Sequence, residues 1–288
     1  MKIYAFSDEA ASDLGGQIAA MKRNGLNGTE IRGVNGRSIV SHTVQEAKEI
    51  LRQLKDNGLS VWSVGSPIGK IPLDGDFAGH LDLLRHTLEL ANTLECANLR
   101  MFSFYLPEGA KPEDCRNEVI DKLAQMAETA EGSGVALCHE NEKGIYGDLA
   151  CRCAEILDAV PSLRCVFDPA NFIQCGDVPA EQFPKLNKYI TYMHIKDALL
   201  EDGSVVPCGK GDGTVPSILD QLDGEEMYLS VEPHLTVFKG LENLQGEALK
   251  HKYTYPDSFT AFQAAVAALK DALKDIGFTE GGNGTWIR

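Results

Sequence analysis

The sequence lacks any stretch that approaches the roughly 20 uninterrupted apolar residues of a membrane-spanning helix. We therefore expect no membrane partner. Residues 1–6 already show a strand pattern, without the apolar core and cleavage site of a secretory signal. Together these absences favour a cytoplasmic protein.

Basic clusters and paired metal-binding cysteines are also missing. The 27 Lys and Arg residues are outnumbered by 42 Asp and Glu residues, which gives a formal net charge of −15. Nucleic-acid-binding proteins usually carry a basic patch, so we expect no nucleic-acid partner. None of the 8 cysteines forms a CxxC pair, because only one residue separates Cys151 from Cys153. We expect reduced thiols, several of them buried in apolar runs, as at Cys138 and Cys165.

A glycine-rich nucleotide-binding turn is absent as well. The first predicted strand ends in Ser7-Asp8-Glu9, and that sequence cannot bind a pyrophosphate as a dinucleotide-binding turn does. Residues 209–213 are rich in glycine but lack the GK[ST] ending of a P-loop. We interpret them as a flexible loop that reaches over a ligand. These features argue against a doubly wound, nucleotide-binding sheet.

What the sequence does contain is eight apolar, β-branched strand patterns that alternate with helical patterns. Such alternation predicts a parallel sheet, and an α/β barrel typically needs about 250 residues. We predict an α/β fold in which residues 1–288 form a single (β/α)8 TIM barrel domain. The glycine-rich tail, residues 277–288, is expected to pack without regular structure.

Four of the later predicted strands each place one residue able to bind metal at or just after their C-terminal end. All strands of a parallel barrel point their C-terminal ends to the same face, so we expect these side chains to converge. Three carboxylates and one imidazole would repel each other without a divalent cation between them. Such an oxygen-rich set suits Mn²⁺, Mg²⁺, Co²⁺ or Zn²⁺. The four residues are Glu140, Asp168, His194 and Glu232.

The same stretches resemble the xylose-isomerase-like TIM barrels, a family of sugar and sugar-phosphate isomerases and epimerases. The resemblance covers nearly the whole chain and is most specific at residues 139–141, 167–171, 194–197 and 230–233. It implies one divalent metal, most often Mn²⁺, held by Glu140, Asp168, His194 and Glu232. It also implies that the two glutamates flank a small sugar or polyol substrate.

The chemistry that the resemblance implies is proton transfer next to a carbonyl group. A metal that binds the carbonyl and hydroxyl oxygens stabilises the enediolate left after proton removal. Glu140 and Glu232 are our predicted catalytic pair, one removing the proton and the same or the other returning it. His194 is expected to remain a metal ligand.

Asn171 and Lys196 are our predicted substrate-binding residues. Asn171 can donate to or accept from a sugar hydroxyl. Lys196 lies one pleat from His194 and can neutralise an oxyanion, a carboxylate or a phosphate; the alternative is a salt bridge to Asp197 or another acid. Glu30 and Arg32 lie near a strand end, where we favour surface or structural roles.

The sequence departs from the ketose 3-epimerases of this family at three positions. Those enzymes usually have a Glu, a His and an Arg where this chain has Tyr146, Asn171 and Leu200. A strict 3-epimerase assignment is therefore disfavoured, and the choice between isomerase and epimerase stays open.

Three other functions compete. A metal-dependent keto-inositol or keto-acid dehydratase, a lyase, would use the same proton abstraction, and a non-catalytic sugar-binding barrel would keep only the fold. A related apurinic endonuclease needs extra histidines after strands three and four, which this sequence lacks. The oligomeric state is open, with a homo-oligomer as one possibility.

Overall fold

Eight parallel strands close into a barrel in the computed structural model, which describes residues 1–222, 226–238, 250 and 252–288. Each strand pairs with the next along the chain, and the last pairs with the first. This confirms the predicted (β/α)8 fold. The strands are β1 (Lys2–Ala5), β2 (Gly28–Ile31), β3 (Ser60–Gly65), β4 (Asn98–Met101), β5 (Ala136–Glu140), β6 (Arg164–Phe167), β7 (Ile190–Ile195) and β8 (Tyr228–Val231).

Helices follow the strands and cover the outside of the barrel. Polar caps begin several of them: Asp13 accepts from the backbone N–H of Gly16, and Thr43 forms a capping box with Glu46. The described helices are α1 (Leu14–Arg23), α2 (Val44–Asp56), α3 (Phe77–Thr93), α4 (Pro112–Ala130), α5 (Ala150–Ala159), α6 (Pro169–Gln174), α7 (Pro179–Leu186), α8 (Val215–Asp220) and α9 (Ser258–Asp275).

The main core lies between the barrel and these helices. On α2 the apolar residues recur at helical spacing, and Ala47, Ile50 and Leu54 are buried against the strands. The interior of the barrel is different, because its C-terminal half holds charged side chains that are also buried. The fold therefore places buried charged side chains at the end of the barrel where the candidate ligands were predicted.

A layer of aromatic rings fills the N-terminal half of the barrel. Trp62 stacks on Tyr228 with ring centroids 3.6 Å apart and planes 9° apart, and it meets Tyr192 edge-on at 5.9 Å. Tyr4 packs against Trp62 and Tyr228. We call these four residues the ring layer; it lies on the N-terminal side of His194.

The C-terminal tail is more regular than expected. Residues Thr279–Glu280 pair antiparallel with Trp286–Ile287, and the Trp286 side chain is buried. The amino group of Met1 donates a hydrogen bond to the Trp286 carbonyl at 2.6 Å. Backbone pairing thus orders a segment in which glycine content had suggested irregular packing. That residues 1–288 form a single domain stays a prediction.

No helix in the described part of the chain is both long enough and apolar enough to cross a membrane.

Candidate metal centre

The structure brings the four predicted metal ligands together at the C-terminal end of the barrel. Glu140 is the last residue of β5, His194 lies in β7, and Asp168 and Glu232 directly follow β6 and β8. All four are buried, and one candidate ligand atom from each lies within 4.8 Å of the others. The convergence expected from strand ends is therefore present, while the roles of these residues stay predictions.

The donor set fits a divalent cation. First-row metals bind oxygen and nitrogen ligands at about 2.0 to 2.2 Å, so ligand atoms on opposite sides lie about 4.4 Å apart. Atoms within 4.8 Å of one another need only a small contraction to reach that spacing. The Oδ2 atom of Asp168 is buried and faces the other candidate ligands, 3.8 Å from His194 Nδ1.

His194 presents its Nδ1 atom to the three carboxylates. This atom lies 2.9 Å from Glu140 Oε1, 3.7 Å from Glu232 Oε2 and 3.8 Å from Asp168 Oδ2. Burial acts to lower the pKa of His194, but the carboxylates of Glu140 and Glu30 outweigh burial and raise this pKa well above its ordinary value. The imidazole is thus held in a strongly negative environment.

The two glutamates are held in parallel ways, each with one oxygen on an arginine. Oε2 of Glu140 lies 3.3 Å from Arg100 Nη1, while its Oε1 faces His194. Oε1 of Glu232 lies 3.1 Å from Arg32 Nη1, while its Oε2 faces the cluster. Each carboxylate therefore keeps one oxygen toward the centre.

Two asparagines orient the acidic ligands. Asn141 exchanges two hydrogen bonds of 2.9 Å with the backbone of Asp168. Asn171 lies in the first turn of α6, where its N–H donates to Asp168 Oδ1 at 2.9 Å and its Nδ2 donates to Glu140 Oε1 at 3.2 Å. Asn171 thus contacts two candidate ligands directly, and its predicted contact with substrate stays a prediction.

Lys196 lies inside the cluster. Its Nζ is 3.0 Å from Asp168 Oδ2 and 2.8 Å from Glu232 Oε2. Burial acts to raise the pKa of Glu232, but the surrounding positive charges, with Lys196 first among them, together hold this pKa well below its ordinary value. The acids that pair with Lys196 are thus Asp168 and Glu232, while Asp197 accepts backbone N–H groups instead. A role of Lys196 in binding substrate stays a prediction.

Three further charged residues contact the candidate ligands: Glu30, Arg32 and Arg100. Sequence reasoning named the first two without placing them at the site, and it missed Arg100. Glu30 contacts His194 at 3.0 Å, and Arg32 links Glu232 to acids of the first βα loop. We had favoured surface or structural roles for Glu30 and Arg32, yet both are buried beside the ligands. Arg100 could have been identified from its position within the apolar strand Asn98–Met101, because a charged residue buried there needs a partner in the interior.

Other sequence interpretations fall outside the cluster. His139 points away from Glu140 and contacts Ser103 at 2.9 Å; burial lowers its pKa to about 3. At the positions where 3-epimerases carry Glu and Arg, Tyr146 donates its hydroxyl to Glu155 and Leu200 is 47% exposed. Neither residue joins the four candidate ligands.

The glycine-rich loop is held down by a single carboxylate. Asp197 accepts hydrogen bonds of 2.9 to 3.1 Å from the N–H groups of Gly209, Gly211 and Gly213. A Cβ atom on Gly211 would lie 2.4 Å from Asp197 Oδ1. A Cβ atom on Gly213 would lie 2.6 Å from the same oxygen. The loop that was expected to be flexible is thus held beside the site by Asp197, and the contacts at Gly211 and Gly213 leave no room for a side chain.

The chain belongs to the xylose isomerase-like TIM barrel family, whose model matches residues 18–251. No curated protein matches the sequence.

Solved structures share the fold at low sequence identity. AsbF, the probable 3-DHS dehydratase of Bacillus anthracis, superimposes with a TM-score of 0.74 at 16% identity, covering 94% of this chain and 99% of its own. The IolI protein with a binding zinc atom gives 0.72 at 17% identity, covering 96% and 99%. An L-ribulose 3-epimerase gives 0.73 at 21% identity, covering 96% of each chain.

Proposed function

We propose that this protein is a divalent-metal-dependent enzyme that isomerises or epimerises a small sugar or sugar derivative. The observation that carries the proposal is the convergence of three carboxylates and one imidazole within 4.8 Å at the C-terminal end of the barrel. Active sites of this fold form at that end. Similarity to an L-ribulose 3-epimerase and to a 3-keto-D-glucoside 4-epimerase supports the reaction class.

Glu140, Asp168, His194 and Glu232 would hold the metal, with Mn²⁺ as our first choice because the set is rich in oxygen. A divalent cation bound there would polarise the carbonyl group of the substrate and so acidify the neighbouring C–H bond. Zinc is an alternative, since the similar IolI structure contains a zinc atom.

Glu140 and Glu232 are the proposed base and acid. The Oε2 atom of Glu232 faces the centre, 3.7 Å from His194 Nδ1 and 2.8 Å from Lys196 Nζ, and the Oε1 atom of Glu140 faces the same imidazole nitrogen at 2.9 Å. Arg100 and Arg32 fix the outer oxygens of the two carboxylates, so the inner oxygens stay at the centre, where metal and substrate would meet. Returning the proton at the neighbouring carbon gives isomerisation, and returning it on the opposite face gives epimerisation.

A keto-acid or keto-inositol dehydratase is the second candidate. Three cationic side chains contact the candidate ligands, which suits a substrate that carries a carboxylate. Similarity to the probable dehydratase AsbF points the same way. The cationic residues are Arg32, Arg100 and Lys196.

Elemental analysis of the purified protein is the first test, after reconstitution with Mn²⁺, Mg²⁺, Co²⁺ or Zn²⁺. We expect about one metal ion per chain in the wild type and none in the Glu140→Gln/Asp168→Asn double variant. Asp121→Asn/Glu128→Gln, the same chemical change on the exposed face of α4, is the matched control and should keep the metal.

A screen of ketoses, aldoses and keto-inositols with the bound metal then separates the reactions by product. An isomerised or epimerised sugar supports the proposal, and loss of water assigns the dehydratase. A wild type that takes up none of the four metals would overturn the metal-dependent mechanism and favour a non-catalytic sugar-binding barrel.

A further inference from the structure

Behind the imidazole of His194, on the side away from the three carboxylates, lies a buried hydrogen-bonded chain. His194 Nε2 is 3.0 Å from Glu30 Oε2, and the Tyr192 hydroxyl donates to Glu30 Oε1 at 2.8 Å. Ser63 Oγ lies 3.0 Å from that hydroxyl. All four residues are 0% exposed, so no solvent competes for these contacts.

Two irregularities in the strand pairing of the barrel position these four hydrogen-bonded side chains. The pairing of β2 with β3 skips Trp62, so that Glu30 lies opposite Ser63. The pairing of β6 with β7 skips Thr191, so that Val166 lies opposite Tyr192. A bulge of this kind redirects the side chain that follows it. Ser63 and Tyr192, the two hydroxyl residues of the chain, each come directly after the extra residue.

We propose that Glu30 is a positioning residue that sets His194 for metal binding, and that Tyr192 and Ser63 hold Glu30 in place. Glu30 accepts a hydrogen bond from Nε2–H, which leaves the lone pair of Nδ1 for a metal held between Glu140, Asp168 and Glu232. A histidine ligand commonly donates its other N–H to a carboxylate, which fixes the orientation of the ring. This inference rests on the proposed metal function.

Glu30→Gln is the direct test, because it keeps the size of the side chain. The amide can rotate and donate to Nε2, which then moves the histidine proton to Nδ1 and removes the ligand lone pair. Tyr192→Phe is the milder variant, since it deletes only the hydrogen bond that orients Glu30. Glu142→Gln is the matched control: Glu142 is also a buried carboxylate, but it pairs with Lys70 at 3.1 Å.

The measurements are Mn²⁺ affinity by calorimetry and the visible spectrum of the Co²⁺ protein. We expect the dissociation constant for Mn²⁺ to rise about 10- to 100-fold in Glu30→Gln and about 2- to 10-fold in Tyr192→Phe. The Co²⁺ band should shift in Glu30→Gln. Glu142→Gln should match the wild type in both measurements.

The possible outcomes distinguish a failure of this inference from a failure of the proposed metal-dependent function. A wild type without metal affinity would overturn the proposed function, and this inference with it. Wild-type affinity and an unchanged Co²⁺ spectrum in Glu30→Gln would overturn the positioning role alone. If Glu30→Gln fails to fold, Tyr192→Phe decides: weaker Mn²⁺ binding supports the role, and an unchanged dissociation constant contradicts it.

Discussion

The ring of Phe6 packs edge-on against the imidazole of His194, with centroids 5.1 Å apart and planes at 79°. The same ring faces two guanidinium groups, with its centroid 4.5 Å from Arg32 Cζ and 5.5 Å from Arg100 Cζ. One apolar side chain from β1's C-terminal end therefore contacts the candidate ligand and both arginines that hold the candidate bases.

Replacing Phe6 should be costly, because its side chain is fully buried among groups that cannot close the cavity without moving. We expect Phe6→Ala to lower the free energy of unfolding by about 3 to 5 kcal/mol. Urea denaturation measures this loss. Tyr253→Ala, at a residue 42% exposed, should change stability by less than about 0.5 kcal/mol. Equal effects of the two variants would contradict the packing role of Phe6.

The proposed bases can be tested with isosteric amides. Glu140→Gln and Glu232→Gln should each lower kcat by about 10²- to 10⁴-fold on the substrate found in the screen, because an amide cannot accept the proton. Circular dichroism should show an unchanged fold. The assignment fails if both variants keep wild-type kcat.

Arg100 should matter far more for stability than an exposed arginine in a similar pair. Arg100→Met leaves the buried Glu140 carboxylate without its guanidinium partner, and we expect a loss of about 3 to 5 kcal/mol. Arg37→Met breaks an exposed ion pair with Glu46, which should cost at most about 1 kcal/mol. Urea denaturation of both variants without added metal checks the contrast, and similar losses would contradict it.

The pKa of His139 predicts a pH dependence of folding. Burial lowers this pKa from 6.5 to about 3, so between these values the unfolded chain binds a proton that the folded protein does not. The contribution of His139 to the free energy of unfolding is therefore fully present above pH 6.5. It falls as the pH drops, by about 2 kcal/mol between pH 6.5 and 5.

His139→Gln should flatten that slope. Denaturation at pH 5 and 6.5 measures the difference between variant and wild type, and other titrating groups cancel in the comparison. A variant with the wild-type slope would mean that His139 is protonated in the folded protein.

The glycine loop leaves no room for a side chain at Gly211. Its Cβ would lie 2.4 Å from Asp197 Oδ1 and 2.5 Å from the Ala198 carbonyl oxygen. Gly211→Ala should therefore lower the free energy of unfolding by about 1 to 3 kcal/mol. Thermal denaturation measures this loss. Gly282→Ala is the control variant, because an added Cβ there would meet nothing within 4 Å. An equally stable Gly211→Ala protein would contradict the tight contact with Asp197.

Sequence patterns predicted the barrel and the placement of Glu140, Asp168, His194 and Glu232, since a ligand at a strand end depends only on local order and on the parallel closure of the sheet. They did not predict α6, because its six residues (Pro169–Gln174) are too few for a visible helical period. For Lys196 they left two partners open, a substrate or a neighbouring acid. They did not identify Asp168 and Glu232 as the acids that it contacts.

The position of Glu30 could not be derived from strand alternation. Its contact with His194 joins residues 164 positions apart, and the register shift opposite Ser63 fixes the geometry. Alternating patterns assume regular pairing, so a single extra residue such as Trp62 changes which side chains meet. Contacts of this kind depend on the register between strands in the closed barrel, which the sequence of one strand does not specify.

The ring layer gives the two halves of the barrel interior different chemistry. The rings of Trp62, Tyr228, Tyr4 and Tyr192 pack against one another in the N-terminal half, whereas the charged candidate ligands lie in the C-terminal half. Active sites of this fold form among the βα loops at the C-terminal end. A substrate would therefore approach His194 from the loops, and the ring layer would support the centre from the opposite side.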